Sequence, residues 1–295
     1  MNRKIDYKIN ENDTGKTVEG FLKERGYTHQ VLVRLKQTDH GILRNGIWAY
    51  TNERLCKDDL ITVQIVENEC SDNIAPVNLP LDIAYEDDDI IVINKPFDMP
   101  AHPSAGNHDN TLANALMYYY GSQNKPFVYR CINRLDRDTT GLTIVAKHAL
   151  AGGILGNAVA KRAIHRTYYA VCSGCTPACM RISAPIARKD ASTIERCVDF
   201  KRGENAVTDF IRIKYNPDNN LSLVKLRLLT GRTHQIRVHM KYIGFPLIGD
   251  FLYNPDYTYI SRQALHAGRL VFTHPVTGQK MNLISDIPSD MKSLF

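Results

Sequence analysis

Residues 134–141 read Arg-Leu-Asp-Arg-Asp-Thr-Thr-Gly and set Asp136 between Arg134 and Arg137, just ahead of the apolar run 142–146. Flanking guanidinium groups keep a carboxylate ionised even when a closing pocket strips water from it, which is the condition for nucleophilic attack or proton abstraction. Taken alone, the octapeptide also reads as a solvated turn with an incidental surface ion pair. Asp138 is the rival carboxylate, and its more economical role is a turn hydrogen bond. Two other constellations compete. Ser104, in His102-Pro103-Ser104, lacks the Gly-x-Ser-x-Gly elbow of an activated serine, so that loop is expected to approach the site or a ligand instead. Cys172, Cys175 and Cys179 form a C-x-x-C-x-x-x-C run with His165 nearby. No second C-x-x-C completes a metal site, so no metal is expected.

The elements that must carry these side chains follow from periodicity. Short β-branched runs at 90–93, 142–146, 167–171, 207–215 and 221–228 predict strands, and helical patterns occur at 111–120, 150–163 and 233–243, the last ended by Gly244. On that last helix Ile236, Met240 and Ile243 make an apolar stripe, which leaves His234, Arg237 and Lys241 on another face, free to meet a carboxylate or phosphates. Strands dominate, and the expected class is α+β, a mixed and largely antiparallel sheet with helices packed on it. Ahead of it, Thr17 and Thr28 cap two short helices, Asn45-Gly46 marks a hairpin, and 58–65 closes as turn plus strand. Residues 67–80, with Pro76 and Pro80, read as a linker. The expected organisation is a small N-terminal α/β unit over 1–66, the linker, and a catalytic domain over 81–295.

The motifs occur in the order of a known family. Arg134 to Gly141 resembles the R-L-D-x-x-T-S/T-G signature of the RluA-type pseudouridine synthases. Upstream, 85–96 and His102-Pro103-Ser104 resemble that family's first strand and loop. Downstream, Thr230-Gly231-Arg232-Thr233-His234-Gln235-Ile236-Arg237-Val238-His239 and Leu265-His266-Ala267 resemble its last two motifs. The N-terminal unit is similar to the S-four-type RNA-binding module that often precedes this domain, although Thr28-His29-Gln30 stands where that module has Ser-Arg. Such enzymes isomerise uridine in RNA by breaking the bond from ribose to base nitrogen, turning the base and rejoining it through carbon, without a cofactor.

The resemblance implies roles residue by residue. Asp136 matches the essential carboxylate, which could attack the sugar, attack the base or deprotonate the ribose. Arg237 matches its fixed ion-pair partner. Tyr168, in Arg166-Thr167-Tyr168-Tyr169-Ala170, matches a ring platform beneath the flipped uracil and a candidate base for the carbon-5 proton. Arg134 matches a wedge filling the gap left by the extruded nucleotide. Leu265 is an apolar wall, and Asn133, Arg137, His102, Arg232 and His234 are expected to contact RNA.

Composition agrees with such a partner without proving it. The 295 residues carry a formal charge of +6, and basic balance raises the local concentration of phosphates. Lys23, Arg25, Arg34, Lys36 and Arg44 cluster around the second N-terminal helix, where phosphates could be gripped. No apolar run is long enough to span a bilayer and no signal-peptide core opens the chain, so a cytoplasmic protein is expected; a monomer is the separate expectation for its assembly. Seven cysteines, an odd number, fit reduced thiols. A methyltransferase is disfavoured, because no Gly-rich loop follows an early strand. A non-catalytic RNA-binding or ribosome-assembly protein on this scaffold predicts loss of Asp136, Tyr168 or Arg237, and all three are present. The expected substrate is large-subunit ribosomal RNA, with transfer RNA as the alternative.

Overall fold

The computed structural model describes residues 2–104, 106–189 and 194–295. Strand β1 (Asn2–Lys8) opens the chain, followed by helices α1 (Val18–Glu24) and α2 (His29–Gln37) and strands β2 (Ile42–Arg44), β3 (Ile47–Trp48) and β4 (Leu60–Val66). The strands form a four-stranded sheet in the order β1-β4-β2-β3. Each helix begins at the expected cap: the Thr17 hydroxyl accepts from Gly20 N–H and the Thr28 hydroxyl from Val31 N–H. Phe21, Leu22, Leu32 and Leu35 then pack on Ile61 and Val63 of β4. β1 escapes the sequence reading because its run is mostly charged, with Ile5 its one buried residue.

Residues 67–80 hold no helix or strand, yet they are tied down. Glu67 accepts from Ala149 N–H and pairs with Arg130, Tyr129 N–H donates to Ser71 Oγ, and Val77 N–H donates to the Asn114 carbonyl.

The remainder is built on one sheet. In chain order its elements are β5 (Ile83–Glu86), β6 (Ile90–Lys95), α3 (Leu112–Gly121), β7 (Thr140–Ala146), α4 (Ala149–Ala160), β8 (His165–Ser173), β9 (Cys179–Ser183), a ribbon of β10 (Ile186–Arg188) and β11 (Arg196–Val198), β12 (Val207–Asn216), β13 (Leu221–Leu228), α5 (Gln235–Tyr242), β14 (Leu265–Thr273), β15 (Lys280–Ile284) and α6 (Ser289–Lys292). The nine strands run β5-β6-β7-β14-β8-β13-β12-β9, with β15 beside β14. All pairs are antiparallel except β7 with β14. The class is therefore α+β with a mixed, largely antiparallel sheet, as the strand-rich pattern predicts.

β7 is buried along its whole length because it is covered on both faces, and a strand so placed reads as an unbroken apolar run. Leu142, Ile144 and Ala146 meet Ala151 and Leu155 of α4, while Val145 meets Leu112, Leu116 and Tyr120 of α3. Across the sheet, α5 seats Ile236 and Met240 on Tyr168, Ala170, Leu226 and Leu265. The loop ahead of β7 and the start of α5 are thereby brought to one place.

Candidate active site

The Asp136 loop is held by main-chain contacts and two inward-facing side chains. Asn133 is buried: its Oδ1 accepts from Ile144 N–H at 2.8 Å, its Nδ2 donates to the Leu142 carbonyl at 3.2 Å, and its own carbonyl accepts from Thr143 Oγ1 at 2.6 Å. The expected RNA contact by Asn133 is thus corrected, since its polar atoms are consumed in stapling the loop to β7. On the other side of Asp136, Lys95 at the end of β6 reaches up and donates from Nζ to the carbonyls of Arg137 (2.8 Å) and Pro96 (2.7 Å). No carboxylate lies within bonding distance of that amine among the described residues, and burial pushes its pKa down to about 7. A neutral amine has two N–H groups for these two carbonyls, so the contact survives deprotonation.

The loop ends at Gly141, whose φ of +108° no ordinary L-residue adopts comfortably. A Cβ there would collide with the backbone of Ala267, because the β14 main chain runs directly against Gly141. The closing glycine of the octapeptide is required by packing under the loop.

Arg237 sits on α5 with its side chain almost wholly inside the protein. Its Nε and Nη2 both donate to Asp250 at 2.7 Å, and its Nη1 donates to Asp136 Oδ2 at 2.9 Å. Asp250 is completely buried and also accepts from the backbone N–H of Leu252 and Tyr253. A planar fork bonded at both ends in this way raises the guanidinium pKa still further despite burial, with Asp250 the larger contributor. Asp136 remains 30 % exposed. One of its oxygens thus keeps a charged partner while the carboxylate still opens into the cavity.

That cavity is lined by Asp136, Arg134, Tyr168, Arg232, His234, Arg237 and Leu265, gathered from four separate stretches of chain. Tyr168 is buried on β8, and burial raises its phenol pKa, so the ring is a neutral surface at ordinary pH. Arg134 is exposed and Leu265 buried in the wall. Arg232 pairs with Glu204 and donates to the Asn205 carbonyl. His102 lies away from the lining, with its ring edge-on to Tyr129 at 5.0 Å. Arg137 is also outside, forked onto Asp138 at 3.0 and 3.1 Å, so Asp138 serves an ion pair where a turn hydrogen bond was expected.

His234 corrects the helix reading. The helix starts at Gln235, and His234 is its N-cap residue in the left-handed region with φ 56°. Gln235 holds this corner, accepting from Thr230 Oγ1 and Arg232 N–H and donating to the Val207 carbonyl. Lys241 is exposed and Arg237 buried, so the three cations do not share one face. Asp250, Lys95 and Gln235 were all given no role by the sequence. A lone Gly-Asp after an apolar pair reads as a turn, and main-chain acceptors leave no sequence trace.

The rival metal readings find little support. Cys172 is buried in the core beside Ala170, while Cys175 meets the Arg212 guanidinium. Among the described residues, Asp87, Asp89 and His274 are the group with converging ligand atoms. His274 Nδ1 accepts from Val276 and Thr277 N–H, however, which leaves Nε2 carrying the proton, 2.9 Å from Asp87 Oδ2. A ring nitrogen that carries a proton offers no lone pair to a metal, and the approach to Asp87 lacks hydrogen-bond geometry.

Residues 89–242 match the family model described as RNA pseudouridylate synthase. The chain belongs to that family. It is accordingly an RNA pseudouridine synthase, an isomerase. It is 38% identical over 281 residues to the uncharacterized RNA pseudouridine synthase YjbO of Bacillus subtilis, a match covering 95% of this chain and 98% of that one. It is 42% identical over 245 residues to ribosomal large subunit pseudouridine synthase D of Haemophilus influenzae, covering 78% and 75%. Among solved structures, human RNA Pseudouridylate Synthase Domain Containing 1 superposes with a TM-score of 0.59 at 26% identity, covering 70% of this chain and 83% of that chain.

Proposed function

We propose that this synthase isomerises uridine in large-subunit ribosomal RNA, with Asp136 as the essential carboxylate. The observation that carries the assignment is the shared guanidinium: Arg237 is anchored by Asp250 and offers its remaining edge to Asp136. That arrangement gives Asp136 a fixed cationic partner, while its second oxygen stays open to the substrate. Tyr168 is the platform for the flipped uracil, since a neutral ring stacks on a base of any identity. Its raised pKa disfavours a resting role as base. Arg134, exposed at the cavity mouth, occupies the gap left in the RNA stack, and Leu265 and Arg232 line the remaining wall. The ribosomal target is supported by relatives such as ribosomal large subunit pseudouridine synthase D of Escherichia coli, 36% identical over 304 residues.

Residues 1–66 act as an RNA-binding module on the catalytic part, 81–295, and the protein works in the cytoplasm as a monomer. The module's expected phosphate grips are engaged internally: Lys23 and Lys36 pair with Glu19, Arg25 with Asp13, Arg34 with Glu69 and Arg44 with Asp59. The more exposed pairs, those of Lys23, Lys36 and Arg34, are weak enough to exchange for phosphate, whereas Arg25 and Arg44 are held by the buried Asp13 and Asp59.

Site-resolved pseudouridine mapping of total RNA, with and without the gene, tests the function. Loss of a large-subunit position, restored by the wild-type gene and not by Asp136→Asn, is the expected result. Loss confined to transfer RNA would move the target, and no loss anywhere would remove the activity.

A further inference from the structure

A chain of hydrogen bonds fixes the position of a proton beside Asp136. The backbone N–H of Arg196 donates to the phenol oxygen of Tyr253 at 2.9 Å, and that oxygen lies 3.0 Å from Nδ1 of His234. The Tyr253 hydroxyl has no other hydrogen-bond partner among the described residues, so its own proton is directed to Nδ1. An imidazole that accepts at Nδ1 carries its proton on Nε2 when neutral. Nε2 is 3.8 Å from Asp136 Oδ2, too far for a direct hydrogen bond, and it lines the cavity with no hydrogen-bond partner among the described residues.

The backbone adds a second observation. His234 holds φ at 56°, a conformation that costs a residue with a Cβ, and its side chain makes no capping bond to α5 in return. The ring is edge-on to Tyr253 and turned into the cavity. The charged groups around it are Asp136, Arg237, Asp250 and Arg196, and burial weighs against its protonation.

We propose that His234 is a neutral Nε2–H donor to a carbonyl oxygen of the uracil detached beside Asp136, held in that tautomer by Tyr253. This rests on the assignment of Asp136 above. When the bond from C1′ to N1 breaks, its electron pair goes to the base and spreads onto the carbonyl oxygens, so a donor already aimed there binds more strongly as charge develops. The same pair later forms the bond from C5 to C1′, and the proton lost from C5 is balanced by the one gained at N1, so the isomerisation consumes none. His234 transfers none. Neutrality matters, because an imidazolium would hand its proton to the detached base and so remove the charge that makes C5 nucleophilic.

Nitrogen-15 NMR of the full-length protein without RNA should find His234 protonated at Nε2 and bare at Nδ1, and the opposite tautomer overturns the proposal without reference to activity. In single-turnover assays on a uridine-containing RNA, His234→Leu should lose on the order of 100-fold in rate while RNA affinity is little changed. His234→Gln has the same backbone cost and restores an N–H at similar reach, so it should recover most of the rate. A glutamine variant as slow as the leucine variant would sink the donor role. Tyr253→Phe should populate the other tautomer by NMR and slow turnover, and unchanged tautomer and rate would show that Tyr253 holds nothing. An Asp136→Asn protein that still makes pseudouridine defeats the Asp136 assignment, whereas an active wild type matched by His234→Leu defeats this proposal alone.

Discussion

Arg237 is held unequally by its two carboxylates, and the inequality is what makes the site usable. Asp250 takes two of its bonds in full burial and Asp136 takes one while partly open. Removing the anchor strands a buried cation: Asp250→Asn should cost about 3–5 kcal/mol in urea unfolding, and turnover should fall with it. An Asp250→Asn protein as stable as wild type would show that Asp136 alone neutralises Arg237. Lys95 provides a pH test. Its folded pKa, near 7, lies below the unfolded value, so between the two the unfolded chain binds more protons and stability rises with pH. Wild type should gain on Lys95→Met between neutral and alkaline pH, by at most ~1.4 kcal/mol per pH unit, and a gap independent of pH would mean the amine is not titrating there. At this scale Asp136, Tyr168 and Arg237 were legible because ordered motifs surround them. Asp250, Lys95 and Tyr253 were not, since their work is done on a guanidinium, on main-chain carbonyls and on an imidazole that no motif spacing ties to them.

At the scale of elements, the junction of β7 and β14 decides whether the loop above it is placed. Gly141→Ala demands an unfavourable φ and a collision with the Ala267 backbone, so the strands must part where Thr140 pairs with His266. A loss of roughly 1–3 kcal/mol in stability is expected, with a larger proportional loss of turnover because Asp136 lies five residues upstream. Normal turnover in that variant would show that the junction does not set the loop. The strands at 90–93 and 142–146 were legible because buried β-branched runs leave little choice of structure. The beginning of α5 was not. His234 continues the helical pattern in sequence, but the bonds of Gln235 to Thr230, Arg232 and Val207 turn the chain one residue earlier.

For the molecule as a whole, the N-terminal unit is docked on the rest and not merely tethered. Leu150 of α4 belongs to its core, with Ile154 packed against it, and Arg3 of β1 donates to Asp89, which also meets His148. Among the described residues no helix is long and apolar enough to cross a membrane. With a charge of +6, RNA affinity should fall as salt rises, the logarithmic slope counting phosphates contacted, while turnover of bound RNA changes little. An affinity indifferent to salt would argue for recognition dominated by bases.

The pairing of β7 with β14 also dictates when the enzyme can exist. Thr140 finds its hydroxyl's partner, His266, 126 positions later, and Asp136 finds Arg237 101 positions later. Such distant closures are the slow steps of folding. A nascent chain emerging from the ribosome therefore carries its reactive carboxylate long before the guanidinium that steadies it, and remains inert until translation has passed β14.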